Sequence, residues 1–121
     1  MKQSYDANAP THPTIIQWEN AYKLPVISGT AKQQKYARDI RYRLMMPLLT
    51  NLLEFADTFK PVDRPLFFAT INNLRGDTDP AFWIQLHQDD IDIEDFVIHE
   101  LEAIHEYELE ALSLQYECET D

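Results

Sequence analysis

The densest grouping of side chains that could do chemistry is His99-Glu100-Leu101-Glu102-Ala103-Ile104-His105-Glu106. Imidazole and carboxylate are the usual ligands of zinc and iron, so the first question is metal. A metalloprotease-type helix needs two histidines four residues apart, on one face. Here they stand six apart and fall on different faces. Glu102-Ala-Ile-His105 has the Glu-x-x-His form of di-iron bundles, but that site takes a second such pair from another helix. The chain contains no second pair, so neither a metal nor another cofactor is expected. Cys118 is the single cysteine and sits among acids, a setting that keeps its thiol protonated. There is no glycine-rich phosphate loop and no Ser/His/Asp set, so an enzyme is not expected.

What that segment does carry is charge. Residues 77–121 hold 15 Asp and Glu and no Lys or Arg, while all 10 basic residues lie in 1–76 beside 6 acids. The net charge of −11 is therefore about +4 followed by about −15. The spacing predicts a helix over about 92–117. Its apolar stripe is Ile93, Val97, Leu101, Ile104, Leu112 and Tyr116, widened by Ile98 and Leu109. Asp92, Glu94 and Asp95 sit where acids favour a helix N-terminus. Glu102, Glu106 and Glu110 run four apart beside the stripe, and each like-charge pair at that spacing costs about 0.2–0.5 kcal/mol. Between Asp92 and Glu119 there are 10 acids. At 1.5 Å per helical residue that is one negative charge per about 4 Å, close to the 3.4 Å of a single nucleic-acid strand.

Three readings of this face compete: a solvated surface, a surface offset by the chain's own basic helix, and a surface that binds a basic partner. The binding reading assigns Asp92, Asp95, Glu100, Glu102, Glu106, Glu108 and Glu110 to a contact with a basic host protein or nucleoprotein complex, carboxylates standing in for phosphates. A domain this acidic is repelled by free nucleic acid and by anionic membrane surfaces, so direct nucleic-acid and membrane binding are not expected.

The alternative lies in residues 30–43. Lys32, Lys35, Arg38, Arg41 and Arg43 face one acid, Asp39, and Tyr36 and Tyr42 add aromatic surface for stacking on bases. That helix could hold a phosphate backbone as an accessory nucleic-acid-binding element. It could also neutralise the acidic helix, within one chain or between the two copies of a homodimer.

The elements that must position these faces read as helices. The 121 residues are 45% hydrophobic with only two glycines, which suits one helical domain with a real core. The expected fold is all-α, a compact bundle of four or five helices ending in a long acidic helix. Residues 1–13 are polar with two prolines and read as a flexible arm before a single domain over 14–121. Thr14 is placed as the N-cap of a short helix through Tyr22, with Ile15, Trp18 and Tyr22 on one face and Trp18 a core anchor. Thr30-Ala-Lys-Gln33 has the capping-box form. Pro47 is expected to stop or kink the following helix near Met46, with a further amphipathic helix over 48–59. Residues 66–74 are open between buried helix and strand. Arg75-Gly76-Asp77 is a turn whose RGD tripeptide is short enough to arise by chance. Asp79-Pro80 reads as an N-cap and N1 pair. The N-terminus has no apolar stretch of the secretory type. With the single cysteine, this leads us to expect a reducing setting, the host cytoplasm.

One stretch resembles a known pattern. Leu24-Pro25, Gly29-Thr30, Lys32-Gln33, Tyr36-Ala37 and Ile40-Arg41 are similar to the LPxLxGSxKQxxWAxxIR motif of small bacterial and phage proteins of unassigned function. Ala81-Phe82-Trp83-Ile84 is similar to their later Ala-x-Trp-Trp-Ile segment. The chain departs from the pattern at Tyr36, where the family usually has Trp, and at Gln88, near where it often has a basic residue. The resemblance covers about 30 residues. It implies a phage or mobile-element setting and brings no catalytic residues. Small acidic phage proteins include nucleic-acid mimics and anti-CRISPR inhibitors, and the class-level expectation is an inhibitor of that kind.

Overall fold

A computed structural model describes residues 10–104. Over that range the fold is all-α, with no strand among the described residues. The helices are α1 (Pro13–Ala21), α2 (Ala31–Thr50), α3 (Leu52–Ala56), α4 (Arg64–Arg75, entered through a 3-10 turn at Pro61–Asp63) and α5 (Pro80–Gln88). A sixth, α6, is helical from 93 to the last described residue, 104. The expected continuation of α6 to 117 and the arm over 1–9 lie outside the described residues.

Local chemistry sets most boundaries. Thr30 accepts from the Gln33 backbone N–H, and the Gln33 side chain accepts from the Thr30 N–H, which completes the capping box. Gly29, at φ 106°, is required just before it: a Cβ there would come within 2.7 Å of the Gln33 Oε1 that closes the box. Asp79 caps α5 through the Ala81 N–H, with Pro80 at N1. Asp92 opens α6 by accepting from the backbone N–H groups of Glu94 and Asp95.

Four expectations need correction. The described residues hold six helices, not the four or five expected, because the short Leu52–Ala56 stands as a helix of its own after the break at Asn51. Thr14 is not the cap of α1. The ring of His12 accepts from the Thr14 N–H, and Pro13 takes the first helical position, so 13 belongs to the helix and not to the arm. Pro47 does not stop α2, which runs on to Thr50. An interior proline costs about 3 kcal/mol, but Met45, Leu48 and Leu49 bracket it, all buried. Each is worth about 1.5–3 kcal/mol in the core, so a continuous helix wins. The helix expected over 48–59 is in consequence only Leu52–Ala56, and Leu53 is 73% exposed. Residues 66–74, open between helix and strand, are helical within α4.

The core joins all these elements. Trp83 and Phe67 are fully buried, with Ile27, Ala37, Ile40, Ile71 and Val97 around them. α5 packs along α2. Trp18 is a core residue as expected, edge-on to Tyr42 with ring centroids 5.3 Å apart. The inner stripe of α6 is the expected one: Ile93, Val97 and Leu101 are buried. The RGD turn is tied into the fold. The Arg75 guanidinium donates to the Tyr22 carbonyl, and Asp77 Oδ1 accepts from the Asp79 N–H.

Candidate functional site

Seven carboxylates, Asp89, Asp90, Asp92, Glu94, Asp95, Glu100 and Glu102, stand exposed between the end of α5 and residue 104. None of them makes an ion pair with Lys or Arg among the described residues. Their contacts are local. Asp89 accepts from the Gln85 amide at 2.9 Å, and Asp92 is occupied with the two backbone donors of the α6 cap.

Burial of Ile93, Val97 and Leu101 turns the opposite side of α6 outward. Asp95, His99 and Glu102 share that outer side at i, i+4 and i+7. His99 Nδ1 lies 3.7 Å from Glu102, with both side chains mostly exposed. Glu100 sits instead on the flank toward α4 and α5, beside Phe82, Phe96 and Ile104. The binding set expected from sequence therefore divides: Asp95 and Glu102 on the outer row, Asp92 at the cap, Glu100 on the flank. Glu106, Glu108 and Glu110 lie outside the described residues, as does His105.

The basic helix is organised otherwise than its charge count suggests. Arg38 and Arg41, one turn apart on α2, both reach Glu19 on α1. Arg38 donates from Nε at 3.0 Å and from Nη2 at 2.5 Å; Arg41 donates from Nη2 at 2.6 Å. Arg41 also donates from Nη1 to the Pro25 carbonyl at 2.9 Å and is 1% exposed. That removes Arg41 from any surface that could meet a phosphate backbone. Lys35 pairs with Asp39 at 2.9 Å, and Arg43 donates to His87. Of the five cations proposed for nucleic acid, only Lys32 and Arg43 are exposed.

The electrostatics follow from burial. Desolvation pushes the Glu19 carboxyl up, but the hydrogen bonds and charges of Arg38 and Arg41 outweigh it and hold it below the usual carboxylate value. Its hydrogen bond to Glu19 raises the Arg38 guanidinium. Arg41 is lowered, because its deeper desolvation exceeds what Glu19 returns and Arg38 repels it. Both guanidinium groups remain charged, so the cluster carries a net +1.

Sequence reasoning missed Glu19. The signal was present: Ile15, Trp18, Glu19 and Tyr22 fall at i, i+3, i+4 and i+7, so the carboxylate occupies a place on the apolar face of α1. An acid there must be paired, and residues 32–43 hold the nearest run of cations. Among the described residues no cluster of His, Cys, Asp and Glu could hold a metal ion, and no helix is long and apolar enough to cross a membrane.

Comparison with known proteins adds no identity. No family model, no curated protein and no solved structure matches the chain.

Proposed function

We propose that this protein is a non-enzymatic interaction protein that binds and blocks a basic, nucleic-acid-handling host complex through the acidic outer face of α6. One observation carries the reading: the carboxylates over 89–102 are exposed and lack a Lys or Arg partner among the described residues. The competing view, that the basic helix neutralises them, loses ground. Arg38, Arg41 and Lys35 are engaged with Glu19 and Asp39. An unpaired row of like charges costs stability, and a basic partner would offset that cost on binding.

The partner class follows from charge. An exposed, strongly acidic surface without Lys or Arg partners among the described residues suits a protein groove built for phosphates. The phage-type setting, with inhibition of the anti-CRISPR or nucleic-acid-mimic kind, rests on the resemblance at 24–45 and on this acidity.

The test is recovery from bacterial lysate at rising salt, with the wild type and a Glu102→Lys, Glu106→Lys, Glu110→Lys variant as baits. A basic nucleic-acid-binding complex held by the wild type at low salt, and lost from the variant, supports the reading. Equal recovery by both baits sinks it.

The second reading, nucleic-acid binding by α2, is narrowed to Lys32 and Arg43. A salt-sensitive shift of labelled single-stranded DNA, abolished by Lys32→Ala with Arg43→Ala, would favour it.

A further inference from the structure

The Glu19 cluster forms the floor of a cleft of about 180 Å³ between α1, α2 and the extended segment 24–28. Apolar side chains line it beside these charges: Ile16 is 40% and Val26 83% exposed, and Ile27 is buried. Asn20 and Gln34 add side-chain amides to the lining. Three features set this cleft apart. The floor holds two guanidinium groups against one carboxylate, a net positive charge in a chain of net −11. Arg38 is only part-buried, and its Nη1 takes no part in the bonds to Glu19. Arg41, 1% exposed, has its Nε–H without a hydrogen-bond partner, so the buried cation is under-compensated.

We infer that this cleft is a binding site for a carboxylate carried on a short branched aliphatic body. The carboxylate would accept from Arg38 Nη1 and meet the residual positive charge of the floor. The aliphatic body would cover Ile16 and Val26, which otherwise stand in water. A guanidinium presents donors in a fixed fork suited to carboxylate oxygens. The two amides suit a ligand with one further polar group, such as the last residue of a peptide chain. The elements involved are α1, α2 and 24–28, so the site stands or falls separately from the acidic face of α6.

The test is amide NMR titration of the full chain into the millimolar range with three probes. These are 4-methylpentanoate, N-acetyl-leucine and the neutral N-acetyl-leucinamide. Shifts at 16–20, 24–28 and 34–41 with either carboxylate, and none with the amide, are expected. A response to 4-methylpentanoate would mark a small-molecule acid as sufficient; a response to N-acetyl-leucine alone would mark a peptide C-terminus. Arg38→Gln should weaken binding at least tenfold. Val26→Asp should do the same from a position exposed enough to leave the fold intact, by placing a negative charge at the mouth. The inference is overturned by equal shifts with the amide, by no shifts with either carboxylate, or by undiminished binding in a folded Val26→Asp variant.

Discussion

Replacing Glu19 by Gln keeps the shape of the side chain and removes its charge. In the wild type the carboxylate takes hydrogen bonds from both guanidinium groups, and its side chain is 9% exposed, against 1% for Arg41 and 30% for Arg38. Removal of one partner from a buried pair costs about 3–5 kcal/mol, because the remaining charge stays buried without compensation. Arg41 is that remaining charge. Against a total stability of about 5–15 kcal/mol, the loss is about a fifth or more. At about 4 °C per kcal/mol for a chain of this length, the midpoint of thermal unfolding should fall by about 12–20 °C. Arg38→Gln should cost less, about 1 kcal/mol, since that end of the cluster meets solvent. The dependence on pH has a definite sign. The folded pKa of Glu19 lies below its unfolded value, so its stabilisation is complete above roughly pH 4.3. It is lost as pH falls through the lower folded value. The gap between wild type and Glu19→Gln should therefore be full at neutral pH and close on acidification below about pH 4. Urea unfolding at neutral and acid pH measures both effects. A loss under about 1 kcal/mol at pH 7, or a gap that widens in acid, would refute the reasoning.

Two further outcomes follow from the helices. Pro47→Ala should raise stability by about 1–2 kcal/mol in denaturant unfolding. The helix already continues through this exposed position, so alanine restores an N–H donor to the Arg43 carbonyl, less the entropy that proline removes from the unfolded chain. Asp92→Ala should cost about 1 kcal/mol through loss of the α6 cap, and Asp92→Asn much less, because asparagine caps nearly as well. Near-equal losses for the two substitutions would assign the effect to charge and not to capping.

The elements marked by short-range chemistry were legible in the sequence. Thr30-x-x-Gln33 and Asp79-Pro80 fix their helix starts through side chains within three residues, so no knowledge of the fold was needed. The inner stripe of α6 was legible because Ile93, Val97 and Leu101 recur at helical spacing over charged neighbours. Pro47 misled because local preference favours a break there, and only the packing of Met45, Leu48 and Leu49 overrules it. Thr14 misled because His12 can also cap and Pro13 suits the first turn. On the candidate site, exposure of Asp95 and Glu102 could be read from the stripe opposite them. The fate of the basic helix could not. Five cations in 12 residues read as a charged face until one knows that α1 brings a buried carboxylate against Arg38 and Arg41, 19 and 22 residues away in sequence.

The most direct measurement on the central claim is a competition. The partner recovered on the wild-type protein is offered a single-stranded DNA fragment at increasing concentration, at two salt concentrations. If α6 presents carboxylates in place of phosphates, DNA displaces the protein from its partner, and added salt weakens binding of the wild type far more than of an Asp95→Lys, Glu102→Lys variant. A ternary complex, in which DNA and this protein occupy the partner together with undiminished affinity, would contradict the claim.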